Sequence, residues 1–142
     1  MPWGEGPGVV DRDAAASNEA TVRLATGPLL GPVLSRVVGM LAARADWPLD
    51  RVDDALLVAD AIAAHGSPHA LDGHLTVAVR TTDDDLELEV GSLGPDGARG
   101  MHADADLPGV GNVLDRIAQD VSFAPDASGS GEVLVIRIAR AV

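Results

Sequence analysis

The chain has 142 residues, no cysteine and a formal net charge of −12 at pH 7. This charge argues against nucleic acid or an anionic membrane as a partner, since both are bound through a basic surface. The lack of cysteine excludes disulfides and thiolate chemistry. Apolar residues make up 46% of the chain but aromatic residues only 2%, so the core of the expected single domain must consist of Val, Leu, Ile and Ala.

Residues 1–19 are rich in Gly, Pro, Ala and acidic residues, which predicts a mobile tail ahead of one domain over residues 20–142. The tail lacks the basic start and continuous apolar segment of a signal peptide. No apolar run reaches the roughly 18–20 residues that cross a bilayer. We therefore expect a cytoplasmic protein, whose acidic surface suits a protein partner with basic segments.

The patterns that follow the tail predict strands and helices in a regular order. Residues 20–25 alternate as a short strand, and apolar residues at helical spacing predict helices over 29–45 and 51–65, the second with Asp50 as its N-cap. Residues 74–81 and 86–90 alternate again and predict an antiparallel hairpin. Residues 92–106 have no periodicity and are expected to form a long loop.

The stretch LPGVGNVLDRIAQDV, from Leu107 to Val121, predicts a third helix behind a glycine-rich entry. Glycines and free N–H groups at a helix N-terminus can receive an anion such as a phosphate. By its spacing alone, a short Gly-x-Gly is more typical of a helix without a ligand. Strands over 121–125 and 132–138 follow, joined by the turn DASGSG. Five strands and three helices predict an α+β two-layer sandwich with a mostly antiparallel sheet and the helices on one face.

This order of elements resembles the histidine-kinase-like ATP-binding domain, the Bergerat-type fold of histidine kinases and gyrase. Its size is most similar to the anti-sigma factor serine kinases of bacterial partner-switching systems. The second glycine box of that family, Gly-x-Gly before the last helix, is matched by Gly109-Val-Gly111. The adenine-reading Asp-x-Gly-x-Gly loop is matched at Gly94, with Ser92 at the position of the Asp.

The third match is the helix that carries a Glu and, four residues later, a magnesium-binding Asn. Asp60 and Ala64 stand at these positions in one register, and Ala61 and His65 in the other. The Asn is absent from both registers. Histidine suits softer metals than magnesium, which prefers oxygen ligands.

The resemblance implies a role for each matched residue. Asp60 would be the catalytic base, and Asp60 or His65 would face a Mg²⁺ ion. An ATP molecule would meet Ser92 and Gly94 at its base. Its phosphates would lie against the glycine loop, at Gly109, Gly111 and Asn112.

The resemblance also implies a protein partner, either a sigma factor or an anti-anti-sigma protein of the STAS type, and leaves open whether the chain forms a homodimer. Three functions follow from it. The first is an anti-sigma-like regulator whose partner exchange responds to ATP or ADP. The second is a pseudo-ATPase that acts only through protein interaction, because the Asn and the adenine-binding Asp are missing. The third is an active protein-serine kinase with Asp60 as its base.

Several acidic and histidine residues offer alternative metal ligands. His65 and His69 have the spacing of a helical metal pair, but Gly66 and Pro68 interrupt the helix, so two loop histidines are the simpler explanation. The run 83–85 of three aspartates is typical of a hydrated turn and lacks the spacing of a calcium loop. The aspartates at 104 and 106 could bind a cation or keep the glycine loop hydrated.

Overall fold

A computed structural model describes residues 18–141 of the chain. Of the predicted tail over residues 1–19, residues 1–17 lie outside the described residues, while Asn18 and Glu19 belong to the first strand. The elements in chain order are β1 (Asn18–Ala25), α1 (Leu30–Arg44), α2 (Leu49–His65), a 3-10 turn (Ser67–His69), β2 (His74–Thr81), β3 (Asp85–Leu93), α3 (Gly97–Asp104), β4 (Asp106–Leu107), β5 (Gly111–Asn112), α4 (Val113–Ile117), β6 (Asp120–Pro125) and β7 (Glu132–Ala139).

Five strands form one antiparallel sheet in the order β1-β2-β3-β7-β6. This confirms the predicted α+β class with a five-stranded antiparallel sheet. The last strand, β7, lies between β3 and β6, so it pairs on both sides. The short strands β4 and β5 form a separate two-stranded ribbon at the glycine loop.

The apolar residues of the sheet lie on one face because alternate side chains of a strand point to the same side. One row across the sheet shows the pattern, since the register aligns Val22, Val77, Val90, Leu134 and Phe123. The long helices α1 and α2 supply the opposite half of the core. The fully buried core side chains of these two helices include Leu34, Val38, Val58 and Ile62.

Helices α1 and α2 pack closely because small residues line the side of α1 that meets α2. A Cβ on Gly31 would lie 3.5 Å from the Cβ of Ala63, and one on Gly39 would lie 3.6 Å from the side chain of Leu56. Since residue numbers rise along α1 as they fall along α2, the two helices run antiparallel. Their mutual packing leaves α2 a second side that faces α4.

Two arginines fasten these helices to the end of β7. The guanidinium of Arg51, only 8% exposed, donates to the carbonyl of Ala139 at 3.0 and 2.7 Å and to Asp54 at 2.6 Å. Arg140 donates at 2.6 Å to the carbonyl oxygens of Ala45 and Asp46, which follow α1. Carbonyls at a helix C-terminus lack intrahelical donors, so Arg140 satisfies them from the last strand.

The sheet face opposite the helices carries a row of alternating charge. Glu19, Arg80, Glu87, Arg137 and Asp120 lie side by side, one from each strand in sheet order. Arg80 donates to Glu87, and this contact raises the pKa of the guanidinium. Arg137 lies 3.9 Å from Asp120. Opposite charges placed directly across from each other stabilise neighbouring strands, so the row favours this register.

The predicted long loop over residues 92–106 is wrong, because it contains the helix α3. Its segment GARGMHAD has two glycines and little apolar periodicity, so the pattern of a helix is absent. The helix is stabilised from outside its own sequence. Glu132 of β7 accepts a hydrogen bond of 3.0 Å from the backbone N–H of Ala98, and the side chain of Met101 is buried in the core.

The predicted helix over residues 107–121 is also wrong in extent. The helix α4 has five residues, Val113–Ile117, and Val110 ahead of it is 52% exposed. Ala118 takes an extended conformation with ψ of 143°, and the N–H of Gln119 donates to the carbonyl of Arg137 at 2.8 Å. The sheet therefore draws the chain into β6 after little more than one helical turn. Within residues 18–141, no helix has the length and apolar character needed to cross a membrane.

Candidate functional site

The glycine loop between β4 and β5 is a tight, exposed turn. The N–H of Val110 donates to the carbonyl of Leu107 at 3.0 Å. Gly109 and Gly111 have φ angles of 77° and 98°, in a region that side chains other than glycine rarely adopt. The tip of the turn presents Leu107 and Val110 to solvent. The loop thus displays apolar side chains where the sequence predicted a phosphate.

Asn112 uses its side chain within the protein. Its Oδ1 accepts from the N–H groups of Leu114 and Asp115 at 3.0 and 3.2 Å. Its Nδ2 donates to the carbonyl of His102 at 2.8 Å. Asn112 is therefore the N-cap of α4 and joins it to α3. The N–H groups of Leu114 and Asp115 at the start of α4 therefore already have a partner in this side chain.

The predicted metal-side residues of α2 face a different neighbour. Asp60 accepts a hydrogen bond of 3.3 Å from the hydroxyl of Ser35 on α1. It therefore lies at the contact between the two long helices and is exposed to solvent. His65 is the last residue of α2 and is partly buried. The segment that follows turns away through the 3-10 turn.

The predicted base-pocket residues lie at the end of β3, with Ser92 inside the strand and Gly94 directly after it. Ser92 lines a polar depression of about 450 Å³ with Arg23 and Thr76, which belong to the open face of the sheet. The hydroxyl of Ser128 is the main cause that lowers the pKa of the neighbouring Asp126 carboxyl, and Ser92 has a smaller effect in the same direction. Gly94 bonds through its N–H to the carbonyl of His69 at 2.9 Å.

Asp60, Ser92 and Asn112 thus have their contacts in three places: the α1–α2 contact, the open face of the sheet, and the start of α4 behind the glycine loop. An ATP site needs its base, metal and phosphate ligands around one cleft. Binding of ATP or Mg²⁺ by the predicted residues stays a prediction.

Two histidine–aspartate pairs hold α3 in place. His69 Nε2 lies 2.8 Å from Asp104 Oδ2, which links the 3-10 turn to the end of α3. His102 Nε2 lies 2.8 Å from Asp115 Oδ1, which links α3 to α4. The sequence did not predict these pairs, because the partners lie 35 and 13 positions apart. Over the described part of the chain, no group of three or more His, Cys, Asp or Glu side chains is arranged to hold a metal ion.

An aromatic contact holds α3 against β6 at the edge of the sheet. The guanidinium carbon of Arg99 lies 4.9 Å from the centre of the Phe123 ring, and the His102 ring meets that ring edge-on at 5.7 Å. Cation–π and edge-to-face contacts of this kind favour one relative placement of the groups. Since α3, α4 and β6 are joined through these side chains, the surface they form is preorganised.

An apolar groove opens between α2 and α4. It has a volume of about 400 Å³, and we call it the α2–α4 groove; its lining residues are Asp54, Leu57, Val113, Arg116 and Ile117. Leu57 is 52% exposed. Arg116 donates to the carbonyl of Val110 at 3.2 Å. The exposed tip of the glycine loop therefore adjoins the groove and extends its apolar surface.

One signal in the sequence pointed to this groove. Leu57 is a large apolar residue of α2 that falls outside the buried stripe, whose members include Val58 and Ile62. An apolar residue on the exposed side of an amphipathic helix is most informative when it joins others in a patch. Val113 and Ile117 complete that patch from α4, which could not be placed against α2 from the sequence.

No known protein-family model matches the chain, and none of the curated proteins is significantly similar to it.

Proposed function

We propose that the chain is a regulatory protein-binding module of the anti-sigma type, which acts in a bacterial partner-switching system and binds its partner in the α2–α4 groove. The observation that supports this most directly is the exposed Leu57, which lies beside Val113 and Ile117 in a shallow apolar groove. Apolar side chains gathered at one exposed place are typical of protein interaction sites.

The chemistry of the groove suits an amphipathic helical segment of the partner. Its floor is apolar, and its rim carries one carboxylate, Asp54, and one guanidinium, Arg116. Asp54 is engaged with Arg51, so Arg116 is the rim cation. With a chain charge of −12, the wider surface attracts basic residues. A sigma factor or an anti-anti-sigma protein with an apolar, basic helix is the proposed partner.

A second candidate function is the same interaction under nucleotide control. It is favoured by the glycine loop, where Gly109 and Gly111 keep positive φ angles. The N-cap of Asn112 and the separation of the predicted ligands favour the module without nucleotide. In the first candidate, protein binding does not need ATP. The two candidates can therefore be distinguished by the partner affinity with and without nucleotide.

The test of the groove is a binding titration with purified sigma factors and anti-anti-sigma proteins whose genes lie near the gene for this chain. Leu57→Asp places a charge in the groove and should weaken binding at least about tenfold. Met40→Asp is the matched control, because Met40 is 54% exposed on α1 and outside the groove. If a partner binds the wild type and Leu57→Asp with equal affinity, the proposed site is contradicted.

The test of nucleotide control is calorimetric titration of ATP and ADP, with and without Mg²⁺. We expect no binding heat, and partner affinity that is the same with and without nucleotide. Binding that is lost in Gly109→Val would favour the nucleotide-dependent candidate. Gly129→Val is the control for backbone strain, because Gly129 has a φ of 80° in the distant β6–β7 turn.

A further inference from the structure

The chain contains two Asp-Gly sequences, Asp72-Gly73 and Asp96-Gly97. An aspartyl side chain can close a five-membered succinimide ring with the backbone nitrogen of the next residue. Glycine permits this best, because it has no side chain that hinders the approach. Hydrolysis of the ring gives either aspartate or isoaspartate, in which the main chain continues through the former side-chain carboxyl. The environment of each site in the fold decides whether it can react.

Asp72 and Gly73 lie in a turn that joins the 3-10 turn to β2. Both residues are exposed, and a Cβ placed on Gly73 would meet nothing within 4 Å. The N–H of Gly73 donates to no backbone carbonyl among residues 18–141. The nitrogen that must attack the carboxyl of Asp72 is therefore open to solvent and is not held in secondary structure.

The second Asp-Gly sequence has the opposite environment. Gly97 is the first residue of α3 and is buried. Its N–H donates to the carbonyl of Gly94 at 2.8 Å, and a Cβ on Gly97 would lie 2.8 Å from the Cβ of Leu93. Both aspartates have a positive φ, 57° at Asp72 and 60° at Asp96. The two sites therefore differ in the glycine nitrogen and not in the backbone conformation of the aspartate.

The side chain of His74 is placed to activate the nitrogen of Gly73. Its Nδ1 lies 2.9 Å from the backbone carbonyl oxygen of Asp72. A carbonyl oxygen can only accept, so this ring nitrogen carries the hydrogen and donates. The carbonyl belongs to the same peptide group as the nitrogen of Gly73. A hydrogen bond to that oxygen stabilises the negative charge that the peptide group carries once its N–H has lost the proton.

We propose that Asp72 is a site of succinimide and isoaspartate formation in the folded protein, with His74 as the residue that promotes ring closure. The nitrogen of Gly73 forms a bond to Cγ of Asp72, and the hydroxyl of the neutral carboxyl leaves as water together with the amide proton. One water molecule then adds to the ring. Addition at the side-chain carbonyl restores aspartate, and addition at the main-chain carbonyl gives isoaspartate.

One long hydrogen bond closes the turn and has to open first. The N–H of His74 donates to the carbonyl of Leu71 at 3.2 Å, which is the long limit for such bonds. When this bond opens, the dihedral angles of Asp72 can change and bring its carboxyl to the nitrogen of Gly73, while the peptide group stays against His74. At Asp96 the same change must also break the 2.8 Å bond at the buried start of α3.

Isoaspartate lengthens the main chain by one carbon atom in a turn that is held on both sides. The N–H of Leu71 donates to the carbonyl of Ser92 at 3.1 Å, and the carbonyl of Gly73 accepts from the N–H of Thr26 at 2.9 Å. The turn also lines the polar depression on the open face of the sheet, so the modification changes the shape of that depression. The carboxylate that it leaves exposed is the group methylated by isoaspartyl methyltransferases, with S-adenosylmethionine as the methyl donor.

The first test compares the two Asp-Gly sites within the same molecule. The full chain is incubated in mildly acidic buffer, and peptide mapping by mass spectrometry with electron-transfer fragmentation distinguishes isoaspartate from aspartate. In the folded protein, isoaspartate should form at Asp72 at least about tenfold faster than at Asp96, because the buried N–H of Gly97 must first lose its bond. In urea the two sites should react at similar rates, which assigns the difference to the fold.

The second test changes the leaving group and the donor. Asp72→Asn closes the same ring by loss of ammonia, so this variant should deamidate in the folded state at neutral pH. Asp96→Asn is the matched control and should deamidate only in urea. His74→Val removes the donor and keeps a residue that favours strands. It should slow the reaction at Asp72 severalfold in the folded protein but not in urea. Circular dichroism shows whether each variant is folded.

The outcomes do not depend on the proposed function, because this turn and the α2–α4 groove share no residue. Equal rates at the two sites in the folded protein would overturn the proposal, as would an Asp72 that reacts in urea but not when folded. A folded His74→Val variant that reacts as fast as the wild type would overturn the role of His74. Isoaspartate at Asp72, with methylation of the incubated protein by a purified isoaspartyl methyltransferase and labelled S-adenosylmethionine, supports the proposal.

Discussion

The imidazole of His69 lies directly over the backbone of Gly100. A Cβ on Gly100 would come within 2.6 Å of the His69 Cε1 and 3.0 Å of its Nδ1. The same ring reaches Asp104, one helical turn further, with its Nε2 at 2.8 Å. The glycine that weakens α3 as a helix thus makes room for the side chain that holds α3 against the 3-10 turn.

We expect Gly100→Ala to destabilise the protein, although alanine is the better helix former. The new methyl group forces the His69 ring away and breaks its bond to Asp104, at a net cost of about 1–3 kcal/mol. Urea unfolding followed by circular dichroism measures this cost. In the double variant His69→Ala/Gly100→Ala the methyl group meets no ring, so the double variant should be no less stable than His69→Ala. Additive losses would show that the ring and the glycine are not coupled.

Asn112→Ala should cost about 1–2 kcal/mol, because it removes the N-cap of α4 and the bond to the carbonyl of His102. Asn112→Asp keeps the accepting oxygen and loses the donor, so its loss should be the smaller of the two. The free energy of unfolding in urea gives both values. An alanine variant as stable as the wild type would mean that α4 needs no cap.

Arg51→Met should destabilise the protein by about 2–3 kcal/mol, despite the apolar character of the new side chain. Arg51 is nearly buried and its two bonds to Ala139 connect α2 to β7. The control is Arg36→Met on the exposed side of α1, which should change the stability by less than about 0.5 kcal/mol. Equal stabilities of the two variants would show that the arginine link contributes little.

The contribution of Asp126 to the stability of the protein should depend on pH. The hydroxyl of Ser128, then the N–H of Gly131, hold the pKa of this carboxyl below its ordinary value. A lowered pKa means that the folded state prefers the charged carboxylate, so the contribution is present at neutral pH and is lost as the pH falls through the folded-state pKa. The wild type should exceed Asp126→Asn in stability at neutral pH, and the difference should shrink below about pH 4. Urea unfolding at several pH values tests this, and a difference that does not vary with pH would contradict it.

The elements that were predicted correctly are those whose pattern is local. Alternation gave the two hairpins and β1, and helical spacing gave α1 and α2 within a few residues. The helix α3 could not be predicted in this way. The side chain of Glu132, 34 positions further along the chain, accepts a hydrogen bond from an N–H group at the N-terminus of α3. The sequence near residues 97–104 gives no sign of such a distant cap.

The length of α4 was predicted wrongly for the opposite reason, because its local helical pattern is strong. The apolar residues from Val110 to Val121 keep helical spacing, yet Val121 belongs to β6. The backbone bond from Gln119 to Arg137 places the chain in the sheet, and strand pairing outweighs a marginal helical propensity.

The candidate site was predicted less well than the fold, because a site depends on which elements are neighbours. Gly109 and Gly111 do form a turn ahead of a helix, as expected. The side chain of Asn112 was assigned to a ligand, but it caps its own helix. Leu57 gave a visible signal in the sequence, whereas its neighbour Ile117 became meaningful only once α4 was placed against α2.

The position of β7 between β3 and β6 has a consequence for synthesis of the chain. While a ribosome is still making residues 132–139, strand β3 has no partner on one side, and the apolar face of the hairpin formed with β2 is incompletely covered. The side chain of Arg140 then donates to the carbonyl of Ala45 at the end of α1, 95 positions earlier in the chain. Such distant contacts slow folding and prolong exposure of a strand edge. We therefore expect the nascent protein to expose its unpaired strand edge until β7 emerges and pairs with β3.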